Sequence, residues 1–265
     1  MSEYRTDDPM EQAYLTESRE LLANVDNDLL AIERQGDGTG DRAANRVFRA
    51  AHSVKSGAGF FDLANLHHLA QKIEGVVDLI RSHELAPTPE IVGTLRLGFD
   101  KVKDLMRHFR DSNPPDVSEL SAALSRLIVE HLPAGDKPLY AARVEVAVPQ
   151  ESPPVEASAL DLRRARHSGK SIYLIRYDLM RDIQRRGINP WEIFKRLIDS
   201  GTILATVLDL HSAGTLDDPP SNVLPLAVLY ASALEPAQVA HLVELPRERL
   251  LVVEKNRPLP NVPVA

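Results

Sequence analysis

The 265-residue chain contains no cysteine, which excludes disulfides, thiol nucleophiles and cysteine metal sites. It is poor in aromatic residues, at 5% with a single Trp, and that tilts the expectation toward helices with aliphatic cores. It has no excess of basic charge: 31 Lys and Arg stand against 38 Asp and Glu, for a formal net charge of -7. Nucleic acid is therefore excluded as a default partner, because binding a phosphate backbone needs a basic surface. No run approaches the roughly 20 apolar residues of a membrane span. The N-terminus, MSEYRTDDPMEQ, is polar and acidic, unlike a secretory signal. These absences lead to the expectation of a soluble, cytoplasmic protein. The remaining composition, 43% hydrophobic and 26% charged, is ordinary for globular protein, and the length suggests about two domains.

In the first half, apolar residues recur at helical spacing. Leu15, Leu22, Val25, Leu29 and Ile32 form one stripe, which a glycine-rich turn from Gly36 to Asp41 ends. A second stripe is Ala44, Val47, Ala51, Val54 and Ala58, and a third is Leu66, Ala70, Ile73, Val77 and Ile80. Thr88-Pro89 starts a fourth helix, with a capping residue before proline, over Ile91, Leu95, Val102 and Leu105. Asp116 and Glu119, in capping-box spacing, open a fifth that buries Leu120, Leu124 and Leu127. Short polar connections between such helices predict an up-and-down bundle of four core helices plus a fifth, over residues 1–135.

From Asp136 to Ala159 the periodicity dissolves among Pro138, Pro149, Pro153 and Pro154, and this stretch reads as a linker. Residues 160–256 then read as β, α, β, β, α, β. The strands are Ile172–Tyr177, Thr202–Asp209, Leu226–Ala233 and Leu250–Glu254, and the helices follow Asn189-Pro190 and Glu235. A loop with Asp217-Asp218-Pro219-Pro220 joins the middle strands. That order predicts a ferredoxin-like βαββαβ domain, α+β in class. The tail, 257–265, holds three prolines and is expected to be loose.

One segment carries chemistry. The second helix contains His52-Ser53-Val54-Lys55-Ser56-Gly57-Ala58-Gly59-Phe60, and two glycines inside a helix cost about 1 kcal/mol each relative to alanine. Either close helix packing or close approach of a partner has to offset that cost. His52 lies one residue past the core stripe, with Lys55 at i+3 and Gly59 at i+7, which predicts an exposed edge carrying an imidazole, an ammonium and a bare patch. In the third helix Glu74 follows Ile73 and Gln71 follows Ala70 with the same offset. Matching flanks of antiparallel helices meet, so His52 and Glu74 are expected to face each other. A carboxylate on one imidazole nitrogen fixes the tautomer and leaves the other with its lone pair. Lys55 is then expected to pair with an anionic group attached to His52.

The run Phe48-Arg49-Ala50-Ala51-His52-Ser53-Val54-Lys55-Ser56-Gly57-Ala58-Gly59-Phe60 resembles the phosphorylation-site helix of histidine-containing phosphotransfer (Hpt) domains, most closely those of CheA chemotaxis kinases. The resemblance covers roughly residues 8–131. It implies that His52 carries a phosphoryl group on its outer ring nitrogen, that Lys55 is the lysine beside it and that Glu74 orients the imidazole. Many CheA proteins have a second histidine where this chain has Gln71, which can hydrogen-bond but not titrate. The second half resembles, through Ile172–Tyr177, Arg185-Arg186-Gly187, Asn189-Pro190, Leu197 and Gly201, a CheA module that docks response regulators. The kinase's nucleotide-binding boxes are absent from these 265 residues. The implied partners are therefore a histidine kinase catalytic domain, which brings ATP and magnesium, and a response regulator receiver domain that takes the phosphoryl group onto aspartate. No cofactor is expected in this chain.

Other features have plainer readings. His67-His68 point about 100° apart on a helix and lack a carboxylate at i+4, which suits surface residues better than a metal site. Gly36–Asp41 lacks the following GK[ST] of a phosphate loop and the terminal glutamate of a calcium loop. Ser168-Gly169-Lys170-Ser171 has Arg164 in place of the first P-loop glycine and precedes a strand. The cluster Arg163, Arg164, Arg166, His167 and Lys170 reads as a solvated helix end, and Trp191 as a packing residue. Two rival functions are a non-catalytic scaffold that binds regulators or a kinase, and a metal-dependent phosphohydrolase. The sparse His and Asp spacing argues against the second.

Overall fold

The first helix begins where Asp8 turns its carboxylate back on the amides of Met10 and Glu11, ahead of Pro9. In the computed structural model, which describes residues 6–34, 39–111, 115–148, 153–209, 212 and 223–253, this helix, α1, spans Pro9–Ala23. Then come α2 (Val25–Arg34), α3 (Thr39–Phe60), α4 (Ala64–Arg81), α5 (Pro89–Arg107) and α6 (Ser118–His131). The stripe expected to form one helix from Leu15 to Ile32 is split at Asn24. Leu22 and Val25 are both buried, so the apolar spacing runs through the break unaltered.

Thr88 caps α5 as expected, accepting from the Ile91 amide. The capping box expected at Asp116 and Glu119 does not form. Helix α6 starts at Ser118 behind Val117, which places Asp116 outside the helix, where its carboxylate accepts from the Ser118 amide. Leu124 is buried as expected, whereas Leu120 and Leu127 are half-buried, and Ile128 takes the remaining core position. Helix α3 packs on α2 and α4, and α4 on α5 and α6. Tyr14, Leu29, Ile32, Leu66, Leu69, Ile73, Leu79 and Phe99 are among the fully buried side chains of this core.

The chain divides into two compact units, Met1–Pro133 and Ala134–Ala265. The second opens with α7 (Lys137–Ala141) and with β1 (Arg143–Val146) and β2 (Val155–Ser158), paired antiparallel from Arg143↔Ser158 to Val146↔Val155. The stretch expected to be a linker is thus partly a β-ribbon. Its strands are four residues long, too short for alternation to stand out among the prolines. They nonetheless bury Val146, Val155 and Ala157.

Ser158 then caps α8 (Ala159–His167). A four-stranded sheet follows, built from β3 (Ser171–Asp178), β4 (Thr202–Leu208), β5 (Pro225–Ser232) and β6 (Leu250–Val253) in the order β4-β5-β3-β6, with every pair antiparallel. Between strands lie α9 (Pro190–Ser200), capped by Asn189, and α10 (Pro236–Leu242), which opens on a capping box of Glu235 and Gln238. The chain order is therefore βαββαβ. Ribbon residues and α8 cover one sheet face, through Val146, Val155, Leu162 and Ala165 against Ile172, Leu174, Leu229 and Ala231. Tyr173 and Tyr230 belong to the opposite face, where Tyr230 meets Ser200 at the end of α9. Trp191 is buried and stacked on Phe194, a packing role.

Among the described residues no helix is long and apolar enough to cross a membrane. The turn centred on 35–38, most of the loop around Asp217 and the tail 257–265 lie outside the described residues.

Candidate functional site

Positions 48, 52 and 55 of α3 are separated by four and three residues and share one helix face. Positions 74 and 81 of α4 share another. Because three residues join α3 to α4, the helices run antiparallel and these faces close on each other. His52 donates from Nδ1 to Glu74 Oε1 at 2.7 Å. The ammonium of Lys55 reaches the other carboxylate oxygen, Oε2, at 2.5 Å. The pairing of His52 with Glu74 expected from the matched flanks is thus present.

The exposed edge is not. His52, Lys55 and Glu74 are only 2%, 5% and 7% exposed, and Ser53 and Ser56 beside them are buried too. A flank that would be wet on an isolated helix is inside the α3–α4 interface once the second helix closes on it. Lys55, expected to await an anion on His52, is engaged with Glu74. Gln71 is half-buried on α4, and among the described residues it makes no hydrogen bond to His52.

The electrostatics follow from this burial. Desolvation raises the Glu74 carboxyl, but the Lys55 ammonium and the His52 ring, through charge and hydrogen bonds, more than offset it and hold the pKa at about 2. An ionised carboxylate only accepts, so Nδ1 carries the proton, and whenever the ring is neutral it is Nε2 that keeps the lone pair. The triad therefore presents a tautomer-fixed imidazole with a compensating negative charge behind it, suited to nucleophilic attack from Nε2.

At Gly57 the cost of a helical glycine is offset by packing. A Cβ there would lie 2.1 Å from Tyr14 Cε2, so the glycine lets the α1 tyrosine lie flat on α3. Burial pushes the Tyr14 hydroxyl well above the usual tyrosine range, and it donates to the Val54 carbonyl at 2.9 Å. That bond anchors α1 one turn from Gly57.

Two neighbours escape sequence reasoning. The Phe48 ring lies parallel to the imidazole of His52, with centroids 6.0 Å apart and planes 4° from each other. Over Phe48 sits the Arg81 guanidinium, its Cζ 3.9 Å from the ring centroid, tied to Asp78 at 2.6 Å. The available signal was spacing: Phe48 is four residues before His52, and Arg81 seven after Glu74 on the same face.

The Hpt domain family matches residues 10–105 of this chain. A chemotaxis protein CheA of Rhizobium meliloti (strain 1021) is 33% identical over 137 residues, which are 50% of this chain and 17% of that protein. One from Bacillus subtilis (strain 168) is 24% identical over 206 residues, 73% of this chain and 28% of the relative. The sensor histidine kinase CheAY of Helicobacter pylori (strain ATCC 700392 / 26695) is 30% identical over 118 residues, 43% of this chain and 14% of that one. The chain thus spans less than a third of the length of these relatives. The matched segment holds the whole His52–Glu74–Lys55 triad, and residues 10–105 belong to the Hpt domain family, in the form carried by CheA-type proteins.

Proposed function

We propose that the chain is a phosphorelay intermediate of chemotaxis-type signalling, with His52 as its phosphoacceptor. The observation that carries this reading is the buried triad, in which Glu74 accepts a hydrogen bond from Nδ1 of His52 on one carboxylate oxygen and pairs with the Lys55 ammonium through the other. Nε2 attacks the γ-phosphorus of ATP held, with its magnesium, by a histidine kinase domain. An N–P bond forms as the P–O bond to the leaving ADP breaks. The ring becomes a phosphorylated imidazolium whose charge Glu74 compensates. A response regulator aspartate then attacks the same phosphorus, an O–P bond replaces the N–P bond, and His52 returns to the neutral ring. Lys55, one helical turn from His52, is the cation within reach of the phosphoryl oxygens once it leaves Glu74. Because His52 is 2% exposed, access to Nε2 is part of what the partners must supply.

The βαββαβ unit is read here as a ferredoxin-like module that docks the response regulator. Its strand order, β4-β5-β3-β6, supports the arrangement. Tethering such a module beside a phosphohistidine raises the regulator's local concentration, to about millimolar for a short connection.

The test is to incubate the chain with candidate histidine kinases and labelled ATP and to map acid-labile phosphate. Label is expected on His52 and none on His52→Gln, whose circular dichroism stays native. Full labelling of that variant, or unaltered signalling with it, overturns the reading in favour of a scaffold. Removing residues 134–265 should leave labelling nearly unchanged and slow transfer to dilute regulator more than to abundant regulator. Superimposable transfer curves would remove the docking role.

A further inference from the structure

We infer that Phe48 and Arg81 are positioning residues for His52, fixing the plane of its imidazole as Glu74 fixes its tautomer. The inference rests on the phosphoacceptor reading above and extends it. A hydrogen bond at Nδ1 sets which nitrogen carries the proton, but it does not by itself stop the ring from rocking about that bond. Nε2, on the far side of the ring, sweeps the widest arc. In-line attack on phosphorus tolerates little of that motion, because a reacting atom misplaced by about 1 Å can cost 100-fold in rate.

A ring parallel to the imidazole limits the rocking, and Phe48 supplies it, four residues earlier on α3, with its plane 4° from that of His52 and the centroids 6.0 Å apart. The half-buried Phe48 ring is in turn held by the Arg81 guanidinium, 3.9 Å from its centroid. Arg81 is itself set by Asp78 at 2.6 Å, three residues before it on α4. The contacts form a closed circuit: α4 grips Phe48 through Arg81, Phe48 lies along His52, and His52 returns to α4 through Glu74. The charged groups around this circuit, Lys55, Glu74, Asp78 and Arg81, are paired as two carboxylates and two cations.

The experiment uses the full chain as wild type, Arg81→Ala, Arg81→Lys, Phe48→Leu and the Arg81→Ala/Phe48→Leu double variant. Two quantities are read: the labelling rate with a cognate kinase, and the NMR shifts and relaxation of the unphosphorylated His52 ring. Arg81→Ala and Phe48→Leu should keep the Nδ1–H tautomer, because Glu74 is untouched, while ring motion rises and labelling slows about tenfold. Arg81→Lys, which keeps a cation over the ring, should recover most of the rate. The double variant should be no slower than the worse single one, as for two members of one unit. Wild-type ring relaxation in both single variants overturns the inference, whatever the labelling does. Absent labelling of the wild type, with ring motion still raised in the variants, removes the phosphoacceptor reading and leaves the positioning intact. Should Phe48→Leu fail to fold, Arg81→Ala decides alone, since its side chain is 38% exposed.

Discussion

Both units of this chain bury carboxylates, and two of these, one from each unit, are engaged differently. In the α+β unit, Asp178 at the end of β3 is 8% exposed, and its Oδ1 accepts from the backbone amides of Met180, Arg181 and Leu224. Those bonds close the turn after β3 and tie it to the segment leading into β5. In the helical unit Glu74 is 7% exposed, but its two oxygens meet side chains, a histidine and a lysine. Backbone amides neither titrate nor leave, so these bonds give Asp178 a structural task. An imidazole and an ammonium can change charge or partner, so Glu74 sits in a device that can do chemistry. Two other buried carboxylates of the helical unit, Glu11 and Asp28, pair with the exposed arginines Arg110 and Arg46. Burial of the carboxylate alone therefore does not mark the site; burial of its partners with it does.

The sharpest way to break this contrast is Glu74→Ala. Loss of the group that orients and compensates the imidazole should slow labelling of His52 by about 10²- to 10⁴-fold. The same change leaves the Lys55 ammonium buried without its carboxylate, which should lower unfolding stability by on the order of 3 kcal/mol in a urea titration. A wild-type labelling rate would reduce Glu74 to a structural carboxylate like Asp178. Its pH signature points the same way. Because folding depresses the Glu74 pKa from 4.5 to about 2, its contribution is complete above about pH 4.5 and is lost as pH falls toward 2. Glu74→Gln should flatten that acid limb of stability against pH, and an unchanged limb would mean that the ion pair adds nothing.

A smaller effect is expected at the packing beside the site. Gly57→Ala drives a methyl into the Tyr14 ring, 2.1 Å from Cε2, and should cost about 2 kcal/mol despite alanine's better helix propensity. A stability equal to or above wild type would mean that α1 does not press on α3 there. The mildest effect belongs to Asp178→Asn, which keeps an acceptor but loses its charge. It should cost about 1 kcal/mol and leave His52 labelling unchanged. A slower label on this variant would erase the distinction between the two carboxylates.

Local features of the chain were legible in advance. Thr88-Pro89 and Asn189-Pro190 start helices because a side-chain acceptor followed by proline suits a helix start whatever packs nearby. Strands around Ile172–Tyr177 and Leu226–Ala233 were visible as apolar runs, the pattern of residues buried on both faces, and the second ends one residue earlier than expected, at Ser232. The pairing of His52 with Glu74 was legible too, because an equal offset from two apolar stripes has one geometric outcome in an antiparallel pair. The break at Asn24 was hidden because it keeps the apolar rhythm. The β1–β2 ribbon was hidden because four-residue strands leave too few alternations to count.

Sequence alone determined most of the helices, the four strands of the sheet, and which side chains of α3 and α4 could meet, since these depend on spacing along one or two neighbouring elements. Only the tertiary structure decided that His52 and Lys55 are enclosed rather than exposed, that Lys55 turns to Glu74, that Gly57 receives a tyrosine ring, and that Phe48 lies parallel to the imidazole with Arg81 over the phenyl ring. These outcomes join residues distant in the chain, such as Lys55 and Glu74, or Tyr14 and Val54, 40 positions apart. The exposure of a helix flank is set by what closes over it, and no local pattern of residues encodes that.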